Sequence, residues 1–158
     1  MCKAINTALL AYERDPKIKV VLMRSNLPKA FCAGANIKEF LVSYEQRILY
    51  DSFKQLSLTL ESFRKPLIAS VNKLALGGGF ELALTADILV CDDVATFGLP
   101  EISLGIFPGM GGTLIAKTIG KNRAMEMILT GKRVPAKDLH AWGVINHIYP
   151  ASELRAKT

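Results

Sequence analysis

The sequence predicts an α/β domain in which parallel strands alternate with helices. Short apolar runs rich in β-branched residues recur along the chain, and most are followed by a segment with helical periodicity. A run of three glycines follows one such strand after residues 72–76 and leads directly into a helix, which indicates a turn between strand and helix. The absence of repeats and linkers predicts that residues 1–158 form a single domain.

The first half of the chain contains two predicted helices and two predicted strands. Asp15-Pro16 ends the first helix, because proline disfavours a helical residue before it, and Pro66 similarly ends the second. The predicted elements in order are a helix at residues 4–14, a strand at 19–23, a loop at 26–36, a short segment at 37–42, a helix at 44–63 and a strand at 67–71.

The second half of the chain begins at the glycine run 77–79, which leads directly into a helix. A loop rich in glycine and proline is predicted over residues 100–112. The predicted elements in order are a helix at 80–86, strands at 88–90 and 95–97, helices at 113–119, 123–130 and 136–142, and a strand at 144–149.

Composition indicates a globular chain that needs no covalent or metal staples. Half of the 158 residues are apolar and 22% are charged, and a chain of this length buries a sizeable core. The three cysteines, Cys2, Cys32 and Cys91, have neither paired spacing nor a neighbouring histidine cluster. We therefore expect a reducing compartment and no metal site.

The formal net charge of +6 indicates an affinity for anions, but the basic residues are scattered along the chain. Nucleic acid is therefore not the expected partner, whereas a phosphate-bearing small molecule is compatible. No apolar run reaches the roughly 20 residues of a membrane span. Residues 1–12 have the pattern of the middle of an amphipathic helix, so we expect a truncated chain, a fragment or an alternative start.

The glycine run 77–79 has the properties of an anion site. Glycines let a ligand approach the backbone closely, and the helix that follows offers unpaired N–H groups. The run is neither a P-loop nor GxGxxG, so an oxyanion formed during a reaction fits it better than a nucleotide phosphate. A turn that only packs a helix remains an alternative for the glycines alone.

Two glutamates lie in apolar sequence surroundings, Glu81 at the start of the helix that follows this turn and Glu101 twenty residues later in a loop. Burial among apolar neighbours raises a carboxyl pKa toward the pH at which proton transfer is efficient. Taken singly, Glu81 is equally compatible with an acid that complements a helix dipole, and Glu101 with an ordinary loop acid. Neither His140 nor His147 lies near these motifs, and no GxSxG nucleophile motif is present.

Four ordered motifs together resemble the crotonase, or enoyl-CoA hydratase/isomerase, superfamily. The motifs are AFCAGANIKE at residues 30–39, PLIASVN at 66–72, LGGGFELA at 76–83 and FGLPEISLGIFPGMGGT at 97–113. The resemblance extends over residues 5–149 and implies a ClpP/crotonase-like fold of ββα superhelix units. The chain resembles the core portion of such a domain, without the family's first strands and its C-terminal helical region.

The resemblance also implies a set of site residues. Ala35 and Gly78 match the backbone N–H donors of the family's oxyanion hole, and Glu81 and Glu101 match its pair of acid/base carboxylates. Further positions expected to contact acyl-CoA are Ala33, Asn36, Ile37, Lys38, Pro108 and Gly109. No metal and no cofactor are expected, because coenzyme A is part of the substrate. Two departures from the family pattern are Asn36 in place of aspartate and Lys73 in place of glycine.

The leading hypothesis from this resemblance is an enoyl-CoA hydratase of fatty-acid or branched-chain acyl-CoA breakdown. An enoyl-CoA isomerase, which needs only one of the two carboxylates, is an alternative. A catalytically silent crotonase fragment that serves as an assembly or RNA-binding subunit is another. The family further implies a homo-oligomer, trimer or hexamer, in the full-length parent. Its location would be the mitochondrial matrix in a eukaryote and the cytoplasm otherwise.

Overall fold

The computed structural model describes residues 1–36, 38 and 43–158, without the side chains of residues 43–49. The chain divides into two compact units, one formed by Met1–Val21 and Asn36–Pro66 and the other by Leu22–Ala35 and Leu67–Thr158. The segment predicted at residues 37–42 lies outside the described residues, apart from Lys38.

The smaller unit is a pair of helices, α1 (Cys2–Arg14) and α2 (Ser43–Ser62), which pack against each other. Both confirm the predicted helices to within two residues at each end. Leu9 of α1 and Leu60 of α2 are buried. The Lys65 ammonium donates hydrogen bonds to the carbonyl oxygens of Tyr12 and Asp15 and so satisfies acceptors at the end of α1.

The remaining elements form two small sheets with their helices, and all of their residues except Val21 belong to the larger unit. The chain order is β1 (Val21–Arg24), β2 (Leu67–Val71), β3 (Leu74–Leu76), α3 (Gly78–Leu84), β4 (Ile88–Asp92), β5 (Thr96–Gly98), a 3-10 helix (Pro100–Leu104), α4 (Met110–Ile119), α5 (Lys121–Thr130), β6 (Val134–Pro135), α6 (Ala136–Ala141), β7 (His147–Tyr149) and α7 (Leu154–Lys157).

The sheets confirm the predicted parallel pairing. One sheet has the order β1-β2-β4-β7, in which β4 pairs in parallel with both β2 and β7. The other has the order β3-β5-β6, with a parallel β3-β5 pair and an antiparallel β5-β6 pair. Because helices follow strands that run in parallel, the strand ends form the rims on which ligands of α/β proteins usually bind.

The core of the larger unit is built on two phenylalanines. The rings of Phe80 on α3 and Phe97 on β5 are fully buried, with centroids 5.1 Å apart and planes tilted by 57°. Leu99 and Ile115 are fully buried in the same cluster. This packing joins α3 to β5 directly beneath the turns that carry the candidate site residues.

The predicted loop at residues 100–112 is only partly a loop in the structure. Pro100–Leu104 forms the 3-10 helix, and α4 begins at Met110, three residues earlier than predicted. The sequence pattern also did not predict β3, β6 and α7, which are two to four residues long. Of the helices described, none is both long enough and apolar enough to cross a membrane.

Candidate active site

The site is built on the carboxyl ends of two neighbouring parallel strands. Leu76 at the end of β3 is in register with Gly98 at the end of β5, and the Gly77 N–H donates to the Gly98 carbonyl oxygen at 2.9 Å. Parallel strands end at the same edge of a sheet, so the residues that follow them lie close together. The glycine turn follows β3, and Glu101 follows β5.

The glycine turn requires glycine for two physical reasons. Gly77 has φ +52° and ψ −132°, a conformation that residues with a side chain rarely adopt. At Gly79, a Cβ atom would lie only 2.2 Å from the Cys32 carbonyl oxygen. Gly78 is the first residue of α3, so its N–H has no acceptor inside that helix and remains available to a ligand.

A second turn, at residues 33–35, lies against the glycine turn. Gly34 has φ +99°, and a Cβ placed on it would be 3.6 Å from the Gly78 nitrogen and 3.0 Å from the Leu76 oxygen. Ala35 follows Gly34 directly, and both Ala33 and Ala35 are exposed. The turns that carry the predicted oxyanion donors, Ala35 and Gly78, are therefore adjacent.

Glu81 is a buried carboxyl held by the start of α4. The residue is only 3% exposed, and its Oε1 accepts a hydrogen bond from the Gly111 N–H at 2.7 Å. Burial raises the pKa of Glu81 from 4.5 to about 7, against the opposing effect of the Gly111 N–H, and the negative charge of Glu101 raises it further. A Cβ at Gly111 would lie 2.6 Å from Glu81 Cγ, so glycine is needed there.

Glu101 lies in the first turn of the 3-10 helix and faces the glycine turn. Its Oε1 is 2.9 Å from the point that a Cβ of Gly77 would occupy. Burial raises the pKa of Glu101 above its ordinary value. Its Oε2 is buried and has no hydrogen-bond partner among the described residues. Its sequence neighbours Ile102 and Leu104 are 43% and 47% exposed, so these two apolar residues do not account for the burial of the Glu101 carboxyl.

The other predicted contacts with acyl-CoA fall in different places. Asn36 and Lys38 belong to the smaller unit and are exposed, and the Lys38 N–H donates to Asn36 Oδ1 at 3.3 Å. Ile37 lies outside the described residues. Pro108 is fully buried, and Gly109 caps α4 beside the Glu81 carboxyl. Substrate contact at these positions remains a prediction.

Gly111 is a site residue that the sequence did not single out. The run of glycines at 109, 111 and 112 was its signal, and residues 105–112 were expected to form a loop and helix start, but such a run does not predict that a backbone N–H binds a carboxylate. The described parts of the chain contain no group of three His, Cys, Asp or Glu side chains that is suitable for a metal ion. His140 Nδ1 bonds the Ile145 carbonyl, and His147 is exposed at a strand, which agrees with structural roles.

This arrangement is suited to proton transfer beside an oxygen that gains negative charge. Glu81, whose pKa is raised to about 7, can hold or release a proton near neutral pH, and burial raises the pKa of Glu101 as well. Backbone N–H groups beside them can stabilise a developing oxyanion without reorganising. The two features together suit a reaction in which protons move while an oxygen gains negative charge.

The raised pKa of Glu81 predicts a pH-dependent cost in stability. The folded protein holds the Glu81 proton up to about pH 7, whereas the unfolded chain releases it near 4.5. Relative to Glu81→Gln, the wild-type free energy of unfolding should therefore fall by about 3 kcal/mol between these pH values and stay constant above them. Urea unfolding of both proteins across this pH range measures these free energies. If the free energies of unfolding of the two proteins changed with pH in parallel, burial would not raise the pKa of Glu81 as stated.

Comparison with known proteins agrees with this architecture. The sequence profile of the enoyl-CoA hydratase/isomerase family matches residues 1–158. Relatives include a probable mitochondrial enoyl-CoA hydratase of Dictyostelium discoideum, 40% identical over 95% of this chain and 54% of its own. The 2,3-dehydroadipyl-CoA hydratase of Escherichia coli is 40% identical over 94% of this chain and 61% of its own.

Solved structures give the same result. An enoyl-CoA hydratase from Geobacillus kaustophilus superposes with a TM-score of 0.90 at 38% identity, over 99% of this chain and 61% of that one. An enoyl-CoA hydratase from Bacillus anthracis superposes with a TM-score of 0.92 at 33% identity, over 99% of this chain and 62% of that one. The chain thus spans between about half and three-fifths of the length of these relatives. It belongs to the enoyl-CoA hydratase/isomerase family and has the crotonase-like fold of that family.

Proposed function

We propose that this chain carries the active site of an enoyl-CoA hydratase, which adds water across the 2,3-double bond of an acyl-CoA thioester. The observation that supports this most is the position of Glu81 and Glu101 at one edge of the β3-β5 pair. There the negative charge of Glu101 raises the pKa of Glu81. Relatives with hydratase names at about 40% identity support the same activity.

In the proposed reaction, the N–H groups of Ala35 and Gly78 bind the thioester oxygen. Glu81 accepts a proton from a water molecule while the water oxygen forms a bond to Cβ of the substrate. The electrons of the double bond move toward the thioester, and Glu101, which starts as the carboxylic acid, delivers a proton to Cα as the oxyanion collapses back to the carbonyl. Transfer of the proton on Glu81 to the Glu101 carboxylate then restores both groups. Each N–H donor of this kind is commonly worth about 3 kcal/mol of the barrier.

The remaining predicted positions complete the proposed substrate site. Ala33, Asn36, Ile37 and Lys38 would receive the coenzyme A portion, and Pro108 with Gly109 would line the acyl portion. We propose that no further cofactor takes part, since oriented N–H donors suffice to stabilise a thioester enolate.

Hydration is favoured over double-bond isomerisation by Glu81. An isomerase moves a proton between two carbons of its substrate and needs one carboxylate for this. In this chain a second carboxyl is buried in the same site, held at 2.7 Å by the Gly111 N–H, although its burial is costly. A hydratase needs such a second acid/base group to take the proton of the attacking water, which explains why the Glu81 carboxyl is kept in the site.

The wider setting is also a proposal. We propose that the activity serves fatty-acid or branched-chain acyl-CoA breakdown, that the complete protein is a trimer or hexamer, and that it acts in the mitochondrial matrix of a eukaryote or the cytoplasm of a bacterium. The mitochondrial name of the Dictyostelium relative and the bacterial origin of the Escherichia coli relative support this division.

The test is the hydration of crotonyl-CoA by the 158-residue chain, followed by the loss of the enoyl thioester absorbance and by the mass of the product. We expect a 3-hydroxyacyl-CoA. A chimera that carries residues 1–158 in place of the matched region of an enoyl-CoA hydratase separates the site from the rest of the enzyme. A folded chimera without turnover would contradict the proposed function.

A further inference from the structure

The turn between β2 and β3 is strained. Lys73 has φ +55° and is, within the described residues, the one non-glycine position with positive φ. The Leu74 N–H donates to the Asn72 carbonyl oxygen at 2.6 Å, two residues back, which closes a γ-turn around Lys73. Such turns with positive φ at the centre are rare and unfavourable, so neighbouring contacts must hold this one in place.

Asp92, at the end of β4, is the residue that holds the turn. Its Oδ2 accepts a hydrogen bond from the Lys73 N–H at 3.0 Å. On the other side of the same residue, the Lys73 carbonyl oxygen accepts the Thr96 N–H at 2.8 Å. Both polar backbone groups of the strained residue are therefore bonded by the segment that runs from Asp92 to Thr96.

Asp92 is costly to bury. It is 2% exposed, its pKa is raised mainly by burial, and its Oδ1 has no hydrogen-bond partner among the described residues. A half-satisfied buried carboxyl lowers stability, and the Lys73 N–H is the strongest of the groups that offset this cost, ahead of the Val94 N–H and the charge of the Lys73 ammonium. The proposed acid/base chemistry of Glu81 and Glu101 does not use it.

A hydrogen-bond ladder leads from this turn to Cys32 and Leu76, a few residues before the proposed oxyanion donors. The Asn72 and Leu74 carbonyl oxygens both accept the Phe31 N–H, at 3.0 and 2.9 Å, and Leu74 also accepts the Cys32 N–H at 3.2 Å. The Leu76 N–H then donates to the Cys32 carbonyl oxygen at 3.0 Å. Ala35 lies three residues beyond Cys32, and Gly78 two residues beyond Leu76.

We propose that Asp92 is a positioning residue. By holding the Lys73 turn, it fixes the alignment of residues 31–35 with residues 74–78, and this alignment sets the distance between the Ala35 and Gly78 N–H groups. This inference rests on the proposed function of those N–H groups. Donors for an oxyanion must be placed before the reaction begins, and a shift of about 1 Å can lower a rate by about 10².

The test compares Asp92→Ala with Asp92→Asn and Asp93→Ala. Asparagine keeps a side-chain oxygen for the Lys73 N–H without the charge, and the exposed Asp93 is the matched control for loss of a neighbouring carboxylate. We expect D92A to lower kcat for crotonyl-CoA by about tenfold or more with KM nearly unchanged, because the donors act mainly in the transition state. D92N and D93A should retain nearly full kcat.

Hydrogen exchange without substrate reports the same link independently of catalysis. In D92A, the amides of Phe31, Cys32 and Leu76 should exchange faster, whereas D92N and D93A should match the wild type. If the wild-type protein does not hydrate crotonyl-CoA, the proposed function is wrong. The hydrogen-exchange rates still decide whether Asp92 stabilises the hydrogen-bond ladder. Unchanged exchange in folded D92A, or a D92N variant as impaired as D92A, would overturn the inference.

Lys73→Gly provides a second variant that distinguishes the turn from general stability. Glycine adopts positive φ without strain, so D92A/K73G should recover most of the kcat and exchange protection lost in D92A. If D92A does not fold, recovery of folding in D92A/K73G supports the role of the turn. If neither variant folds while D92N does, Asp92 acts through other contacts and the inference is wrong.

Discussion

Glu101→Gln should lower the rate of crotonyl-CoA hydration by about 10² to 10⁴, the range expected for the loss of a general acid. Glutamine has nearly the same shape as glutamate but cannot deliver the proton to Cα. The Glu101 side chain is partly buried, and its Oε2 makes no hydrogen bond among the described residues, so the substitution breaks no hydrogen bond at that atom. Steady-state kinetics at neutral pH measure kcat and KM separately.

Glu61→Gln is a suitable control for this prediction. Glu61 is an exposed residue of α2, and its substitution removes the same charge at a position without a proposed role. The rate should be unchanged in this variant. A folded Glu101→Gln protein that keeps wild-type kcat would remove Glu101 from the mechanism.

Gly78→Pro should lower turnover by about 10² to 10³ or more by deleting one N–H of the oxyanion hole. Proline is well tolerated at the first position of a helix, which is the position that Gly78 occupies in α3. The variant should therefore fold while losing the donor. Circular dichroism checks the fold, and crotonyl-CoA hydration measures the loss.

The structure offers a matched control for the proline itself. Lys121 occupies the same first position in α5, far along the chain from the site residues and exposed to solvent. Lys121→Pro should leave the rate unchanged. An ester linkage in place of the Gly78 amide removes the same N–H without the bulk of the proline ring, and full activity in that protein would assign the donor to another residue.

Sequence patterns predicted the long elements well because their periodicity is strong. The strand Leu67–Val71 was predicted to the residue, and α1 and α2 to within two residues. By contrast, β3 has only three residues, Leu74–Leu76, and owes its extended form to its pairing with β5 and its bridge to Cys32. Such partners are distant in the sequence and leave no local signal.

The start of α4 shows how tertiary contacts override local propensity. Gly111 and Gly112 disfavour a helix, so residues 100–112 were predicted as a loop. In the structure the Gly111 N–H binds Glu81 Oε1, and a side chain at Gly112 would collide with the Phe107 ring. At Gly111 the contact with Glu81 requires the glycine that weakens the helix.

The motifs named the candidate site residues, and their convergence was implied by the resemblance to the family rather than by the spacing of the residues. The spacing of Glu81 and Glu101 along the chain says nothing about their distance until the β3-β5 register places their strands side by side. The role of Asp92 was equally hidden, since it depends on the positive φ of Lys73. Backbone conformation of this kind has no pattern in a single sequence.

We propose that Glu81 and Glu101 act as one acid/base pair, in which Glu81 takes the water proton while Glu101 protonates Cα. The most direct test is the crotonyl-CoA hydration rate of Glu81→Gln/Glu101→Gln compared with that of each single variant. Groups that act as one unit lose their combined effect once either is gone, so the double variant should be only about as slow as the slower single variant. A double variant whose loss equals the product of the two single losses would show that the carboxylates act independently and would contradict the claim.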